Sequence, residues 1–298
     1  MQGYNGVASS GQGMRSLLAT LKWLSRAVCV VGLVMIGTTL LVRFAPGYLS
    51  DAREMDARYA GAAKDELSMV ASQSRSPLRM VFNEFSSWFR GNGGISRQYG
   101  VPVLELLGPR LSVTGGLLAR ALGLSWLLAL VAALLSSSGR RSLFVWQVPS
   151  TLLLVVPTAA MATVCLIAGF GGPVLVMVLS LTARDFKFLH STLRDAWLKP
   201  HVLHARSQGV PTARILAAHI LPAIAPQLGA LASLSIVTAL SALVPVEVIF
   251  NVPGVGQLAW NAAINRDLPV LLAATMIMAV AVTLAGMTRL QPDDWKNA

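Results

Sequence analysis

"HARSQGVPTARILAAHILPAI", residues 204–224, decides how this chain is organised. The stretch is basic, contains Gly209 and Pro211, and lies between two strongly apolar segments. Glycine permits a sharp change of direction and proline restricts the backbone, so the pattern predicts a short helix flanked by turns. Between two membrane spans, such a helix offers a protruding rigid surface to another protein. A plain basic loop is the alternative interpretation of these residues.

Composition identifies the surroundings of this stretch as membrane spans. Of 298 residues, 54% are hydrophobic and 12% are charged, and the mean hydropathy is +0.62. One water-facing surface cannot hide so much apolar material. The sequence therefore predicts an all-α integral membrane protein with about six transmembrane helices, most of them near the ~20 residues that cross a bilayer. The apolar runs lie at about 27–44, 111–135, 143–168, 172–190, 224–250 and 268–288.

Two of these runs have distinctive interiors. The fourth is the least apolar, because its uncharged part ends at Arg184 and Asp185. A span there must direct its polar residues toward other helices. The third contains Pro149 and Pro157, and prolines of this kind predict a bend.

The first run raises the question of a signal peptide, because basic residues precede it. Its uncharged stretch, 27–42, is long for the apolar part of a signal peptide, and five further apolar runs follow. We interpret it as a retained first helix.

Basic residues are concentrated in alternate connections. Those on the side of the opening stretch are Arg15, Lys22, Arg26, Arg140, Arg141, Arg184, Lys187, Arg194, Lys199, Arg206 and Arg214. The opposite connections, "GFGG" (169–172) and "NVPGVGQLAWNAAINRD" (251–267), contain one positive charge. The positive-inside rule then predicts that both termini and the 184–220 segment are cytoplasmic. The net charge of +11 needs no nucleic acid to explain it.

These signals predict a linear organisation. It comprises a cytoplasmic tail (1–22), a first transmembrane helix (23–45), an external loop region (46–110), a transmembrane domain (111–290) with a cytoplasmic helix at about 200–212, and a cytoplasmic tail (291–298). Within the external region, apolar residues at helical spacing between 81 and 89 predict an amphipathic helix. Such a helix lies at the membrane interface or caps the bundle.

Signatures of an enzyme are weak in this sequence. "GVGQLA" (254–259) matches a dinucleotide pattern but does not follow a soluble strand. His201 and His204 offer two nitrogens, and no cysteine or carboxylate stands nearby at metal-ligand spacing. The phosphate-binding pattern G-x-x-x-x-G-K-[ST] is missing from the sequence. We therefore predict no catalytic residue, no metal site and no ATP bound by that route.

Several ordered motifs carry a family resemblance over about residues 77 to 290. They are "ARSQGV" followed by "HILP" (Ala205, Arg206, Gly209, His219, Leu221, Pro222), and a downstream set (Glu247, Phe250, Pro253, Gly254, Gly256, Arg266, Asp267, Pro269). "GNGGIS", "VPVLELLGPRLSVT" and "VPS" at 148–150 extend them upstream. On these residues the chain resembles the binding-protein-dependent ABC transporter permeases of the dipeptide, oligopeptide and nickel group. The long loop between the first two spans is similar to that of the B-type subunit.

The resemblance implies the ABC type I importer permease fold and a division of labour. Two permeases, this chain and a C-type subunit, form the path for peptide-like solutes in the bacterial inner membrane. One or two cytoplasmic ATPase subunits bind ATP and Mg, so this chain needs no cofactor, and an external substrate-binding protein delivers solute; lipid surrounds the spans. The resemblance also implies a helix that couples to the ATPase, formed by Leu203, His204, Ala205, Arg206, Ser207, Gln208, Gly209 and Val210.

For the path itself the sequence offers six candidates, which are Arg120, Glu247, Pro253, Gly254, Gly256 and Asp267. Arg120 lies within an apolar run, where it could bind a peptide carboxylate or pair with Glu247. The alternatives are that Arg120 reaches the outer interface and that Glu247 satisfies backbone amides of the "NVPGVG" turn.

Other function classes remain open on the sequence alone. The same chain could serve nickel or another small solute, belong to an ABC exporter, or act as an ATP-independent carrier or channel. A membrane-embedded enzyme would need a catalytic set that the sequence does not contain.

Overall fold

The computed structural model describes residues 21, 24–41, 93–136 and 140–286. Within these ranges the regular structure is helical, and one isolated antiparallel bridge joins Ile95 to Pro102. The helices are α1 Leu24–Leu41, α2 Val103–Ser136, α3 Arg140–Val155, α4 Thr158–Ile167, α5 Pro173–Trp197, α6 Pro200–Ser207, α7 Thr212–Ile249, α8 Val255–Ile264 and α9 Leu268–Ala285.

Membrane crossing follows from helix length and apolarity. Among the described residues, α1, α2, α7 and α9 are long and apolar enough to span a bilayer, and the bent pair α3 and α4 makes a fifth span if it is counted as one. The prediction of an all-α, multi-pass membrane protein is confirmed. The fourth predicted run forms the 25-residue helix α5, which is long enough to cross, but its interior charges keep it out of this group. On length and composition, the described part of the chain thus contains four or five spans, whereas the sequence predicted about six.

The bend predicted in the third run is present. The axes of α3 and α4 differ by 99°, and Pro157 is the residue that precedes α4. A proline lacks the amide hydrogen that would continue the α3 ladder, and its ring crowds the carbonyl four residues earlier. Pro149 lies inside α3.

The second helix begins earlier than predicted. Residues 103–110, which we assigned to the external loop region, form the first turns of α2. Val103 and Leu107 are buried one turn apart, and this packing stabilises helix in a segment where Pro109 and Arg110 interrupt the apolar run. At 34 residues, α2 is about 51 Å long, well beyond the ~30 Å hydrocarbon core. The predicted amphipathic helix between 81 and 89, the predicted carboxyl-terminal tail and, apart from residue 21, the predicted amino-terminal tail lie outside the described residues.

The described residues form two compact units. One combines residues up to Glu105 with Asn261–Leu284, and the other combines Leu106–Trp260 with residues from Ala285 onward. In the first unit, Met35 of α1 packs against Leu268 and Leu272 of α9. In the second unit, α5 packs against α3, α4 and α7, and α4 packs against α7.

The apolar surface of the second unit suits lipid better than water. Large apolar side chains are exposed along its helices, among them Leu152, Val155, Val164 and Ile167. A soluble protein rarely exposes such continuous apolar surface. These faces are therefore of the kind that a bilayer or another membrane protein covers.

Candidate functional site

The short helix α6 has defined chemistry at both ends. Lys199 has an extended conformation and Pro200 occupies the first helical position, where a proline costs no hydrogen bond. At the other end, the amide of Gly209 donates to Arg206 O (3.1 Å) and the amide of Val210 donates to Ala205 O (3.3 Å). This bond pair is a Schellman motif, and it requires the positive φ of Gly209 (+74°). The helix thus ends at Ser207, five residues before the predicted limit of 212.

One face of α6 is fixed in the protein core. Val202 and Ala205 are 1% and 7% exposed, and they join a buried cluster that includes residues of α5 and α7. Trp197 and Val210, on either side of the helix, pack against the same cluster. The helix therefore cannot move without its neighbours.

The opposite face is open. Leu203 is 49% exposed, and Leu198 just before the helix is 64% exposed. His204, Arg206, Ser207 and Gln208 are also exposed. A protruding leucine surrounded by basic and polar groups is suited to a groove on another protein.

A wider helical turn follows this segment, and the sequence analysis missed it. Within α7, Leu216–Ile220 forms a π-helical turn, closed by the amide of Leu221 donating to Leu216 O. Pro222 comes directly afterward, and its ring would clash with the carbonyl of residue 218 in a regular α-helix. We attribute the wider turn to this proline. π-turns occur often near functional sites.

The candidate path residue Glu247 anchors the turn between α7 and α8. Its side chain is fully buried. One carboxylate oxygen accepts from Thr114 Oγ1 (2.7 Å), and the other accepts from the amides of Gly256 (2.7 Å) and Gln257 (3.1 Å). The hydroxyl oxygen of Thr114 in turn accepts from the amide of Val255 (2.9 Å). A negative charge on the first amides of a helix is favourable, so Glu247 caps α8.

The glycines of this turn make room for the carboxylate. A Cβ at Gly254 would overlap the carboxylate of Glu247, and a Cβ at Gly256 would lie 3.0 Å from its Oε2 and 3.0 Å from Val244 Cα. Pro253 is exposed beside them. The structure therefore brings Glu247, Gly254 and Gly256 together in one structural anchor.

Asp267 forms a second anchor, within the other unit. It is 1% exposed. Its Oδ2 accepts from Ser96 Oγ and from the amide of Gln98 (3.1 Å), and its Oδ1 accepts from the amide of Arg97 (3.2 Å). The segment "ISRQYG" (95–100) is thereby held against the start of α9, where a Cβ at Gly94 (φ +81°) would lie 3.1 Å from Pro269 Cβ.

Arg120 lies apart from these anchors. Its side chain is exposed on α2, and Nε donates to Gly116 O (2.8 Å). Glu247 bonds to other partners, so the predicted Arg120–Glu247 pair does not form. Nineteen uncharged residues, 121–139, follow Arg120 in the sequence. The alternative stated above, that Arg120 reaches an interface, corresponds to placing these residues in the bilayer, and it stays a prediction.

The least apolar span carries a polar cluster that we did not predict. Asp185 of α5 is fully buried against Ser235 of α7, and Arg184 contacts Thr238 on the same helix. The expectation that α5 turns polar residues toward other helices is confirmed. Within the described residues, no group of three or more His, Cys, Asp or Glu side chains could hold a metal ion.

Comparison with known proteins identifies the family. Residues 118–289 match the binding-protein-dependent transport system inner membrane component. The chain is 32% identical over 116 residues to the oligopeptide transport system permease protein OppB of Escherichia coli K12 (36% of this chain, 38% of OppB). It is 27% identical over 115 residues to a putative peptide permease protein of Brucella ovis (39% and 36%). It is 29% identical over 108 residues to the metal-staphylopine import system permease protein CntB of Staphylococcus aureus (36% and 34%).

These alignments cover little more than a third of the relatives, 38% of OppB for example. The family match is broader, since it takes in more than half of the chain and contains every helix from α3 to α9. It therefore includes the open helix α6 and the anchor at Glu247. The chain belongs to the family of inner membrane components of binding-protein-dependent transport systems.

Proposed function

We propose that this chain is a permease subunit of an ABC importer for peptide-like small solutes. It forms half of the translocation path, pairs with a second, C-type permease, and docks on one or two cytoplasmic ATPase subunits. An external binding protein delivers the solute. ATP and Mg are bound on the ATPase subunits.

One observation carries the proposal, namely the construction of α6. Eight residues of helix stand between two much longer helices, α5 and α7, with one face packed in the core and the other open. A surface loop of equal length would dissipate an applied force. A helix fixed on one side transmits a displacement to the helices that flank it.

The mechanism follows from this connection. When the ATPase subunits close around ATP, the groove that holds Leu203 moves, and α6 moves with it. The buried contacts of Val202 and Ala205 pass the displacement to α5 and α7, which tilt and open the path to one side of the membrane. Solute must bind with different affinity in the two states for the cycle to do work. Hydrolysis returns the subunits to the starting state.

The two anchors define what stays fixed during this motion. Glu247 ties the end of α7 to the start of α8, and Asp267 ties residues 96–98 to the start of α9. Each carboxylate is buried and fully engaged with local donors. We propose structural roles for both, and no direct contact with solute.

The proposed orientation places α6 in the cytoplasm, as expected if the protein resides in the bacterial inner membrane. It rests on the basic residues that flank α6 and on their near absence from 251–267. In that orientation the segments held by Glu247 and Asp267 face outward. The amino and carboxyl termini are then cytoplasmic.

A second candidate function keeps the ABC importer and changes only the solute. The similarity to CntB, named for metal-staphylopine import, favours a small metal complex as the alternative to a peptide. Either solute would be recognised first by the external binding protein.

Purification of the tagged chain from its native membrane in a gentle detergent tests the proposal. Mass spectrometry of co-purifying chains is expected to find a second permease and one or two ATPases. A co-purifying binding protein could then be assayed for peptides and for metal complexes. Recovery of the chain alone, under conditions that keep a known transporter of the same membrane intact, would overturn the proposal in favour of a carrier or channel.

A further inference from the structure

The polar cluster between α5 and α7 is centred on a fully buried carboxylate. Asp185 is the central residue of the 25-residue helix α5, about 18 Å from either end at 1.5 Å per residue. A buried ionisable residue is costly unless it is paired and hydrogen-bonded, so its presence calls for a reason. Neither anchor nor the exposed face of α6 involves this residue.

Two adjacent residues of α5 hold α7 at several points. Asp185 Oδ1 accepts from Ser235 Oγ (2.8 Å). The Arg184 guanidinium donates to Thr238 Oγ1 and reaches the carbonyl oxygen of Leu234 (3.4 Å), and it lies 3.6 Å from Asp185 Oδ1. Since all these partners lie within Leu234–Thr238, the contacts define one register between the two helices.

The cluster is not an efficient way to hold two helices together. Asp185 Oδ2 and Arg184 Nε are buried without a hydrogen-bond partner among the residues that the structure describes. A buried ion pair recovers its desolvation cost only with good geometry and saturated hydrogen bonds, and apolar replacements often stabilise a protein equally well. Leucine side chains could hold α5 and α7 together equally well. A buried charged pair also fixes the register of the two helices, which is the best attested use of buried charges.

The two helices whose register the cluster fixes are those that flank α6. The helices α5 and α7 flank α6, and residues 198–211 connect them, so they run in opposite directions. Nearer to α6 their contacts include apolar residues such as Leu189, Leu193, Ile220 and Ile224. Apolar packing is non-directional, and it opposes sliding less than a hydrogen-bonded pair does.

We propose that Arg184 and Asp185 are positioning residues that lock α5 to α7 in one register. A displacement of α6 then reaches the middle of α5 as a common motion of both helices. We call this fixed register of α5 against α7 the lock. Its use in transport rests on the proposed function, whereas the lock itself depends on this chain alone.

Distances between two spin labels test the lock in the isolated chain. We would place labels at Ser191→Cys and Ser241→Cys, both exposed, after changing the free Cys29 and Cys165 to alanine. Ser191 lies six residues beyond Asp185 on α5, and Ser241 lies six residues beyond Ser235 on α7. Because the helices are antiparallel, the labels are about 20 Å apart, from the rise per residue and the ~10 Å between packed helices.

The informative variant is Arg184→Met combined with Asp185→Leu, which removes both charges and leaves no unpaired charge behind. We expect one narrow distance distribution for the parent chain. The double variant is expected to give a broader distribution, or a second population displaced by about 5 Å, one helical turn. Ser180→Ala is the matched control, because this hydroxyl of α5 donates to Met177 O of its own helix. An unchanged distribution in the double variant would overturn the lock.

The assembled transporter tests the purpose of the lock. In the reconstituted complex, the double variant is expected to hydrolyse ATP and to transport at least tenfold less solute per ATP than the parent, with Ser180→Ala unchanged. A broader distribution together with unchanged solute per ATP would overturn the positioning role. If the chain proves to have no ATPase partner, the proposed function fails while the label distances still decide whether the lock exists.

Discussion

Two regions of this chain contain similar residue types but differ in which of those residues are buried. Residues 203–210 and residues 247–256 each combine glycine with polar or charged groups beside an apolar helix. In the first region the polar side chains and Leu203 are exposed, and Ala205 is buried. In the second, Glu247 is fully buried and bonded to local donors. A similar motif can thus form either an exposed surface that binds a partner or a rigid turn between two helices. The burial of the polar side chains distinguishes the two cases.

The buried joint predicts the largest loss of stability. Replacing Glu247 by alanine leaves the Thr114 hydroxyl and the amides of Gly256 and Gln257 without their acceptor. Each unsatisfied buried group costs about 1–3 kcal/mol, so we expect a total loss of about 3 kcal/mol or more. A lowered Tm in detergent and reduced abundance in the membrane would report it. Glu105→Ala, at an exposed position in the first turn of α2, is the control and should lower Tm far less, because it removes only a favourable charge at a helix start.

The second anchor predicts a smaller loss. Ser96→Ala removes one donor from the Asp267 carboxylate but leaves the amides of Arg97 and Gln98 in place. A hydrogen bond to a charged group contributes about 1.5–3 kcal/mol, so we expect the Tm to fall, less than for Glu247→Ala. Ser191→Ala, an exposed serine that bonds within its own helix, is the matched control. Equal Tm values for the two serine variants would show that the bond between Ser96 and Asp267 contributes nothing.

In the exposed region 203–210, we expect a substitution to reduce transport strongly and stability only slightly. Gly209→Asp introduces a side chain at φ +74°, which costs about 1 kcal/mol, and adds a charge beside the docking face. We expect insertion to persist and transport to fall at least tenfold. Gly209→Asn is the control, because asparagine tolerates this backbone conformation without adding charge. If the aspartate variant couples ATP hydrolysis to transport as well as the asparagine variant does, α6 is not the docking element.

Arg120 predicts the smallest effect of the four. Its exposed guanidinium bonds only locally, to Gly116 O, so Arg120→Ala should shift stability by less than about 0.5 kcal/mol. Transport should change less than twofold if the residue sits at the interface. Arg120→Lys keeps the charge and serves as the control. A tenfold loss in the alanine variant that lysine restores would place Arg120 in the path after all.

The sequence predicted local features well because their causes are local. Pro157 breaks a helix wherever the chain places it, and Gly209 with Pro200 delimits α6 by backbone geometry alone. The alternative interpretation of Glu247, that it satisfies backbone amides of the 251–256 turn, agrees with its bond to Gly256. Its partner Thr114 needed the fold, since it lies 133 residues away. For Asp185, the sequence predicted only that the side chain faces other helices. Its partners Ser235 and Thr238 lie in an apolar run where serine and threonine carry little signal of their own.

The most direct test of the central claim is photo-crosslinking from Leu203 in the native membrane. A crosslinking residue at this position is expected to capture an ATPase subunit, identified by mass spectrometry through a phosphate-binding G-x-x-x-x-G-K-[ST] peptide. The same residue at Leu152, exposed on α3, is expected to capture lipid or another membrane protein. If Leu203 captures no ATPase while the protein is present at normal abundance, α6 does not dock on one, and the account of this chain as a coupled permease is contradicted.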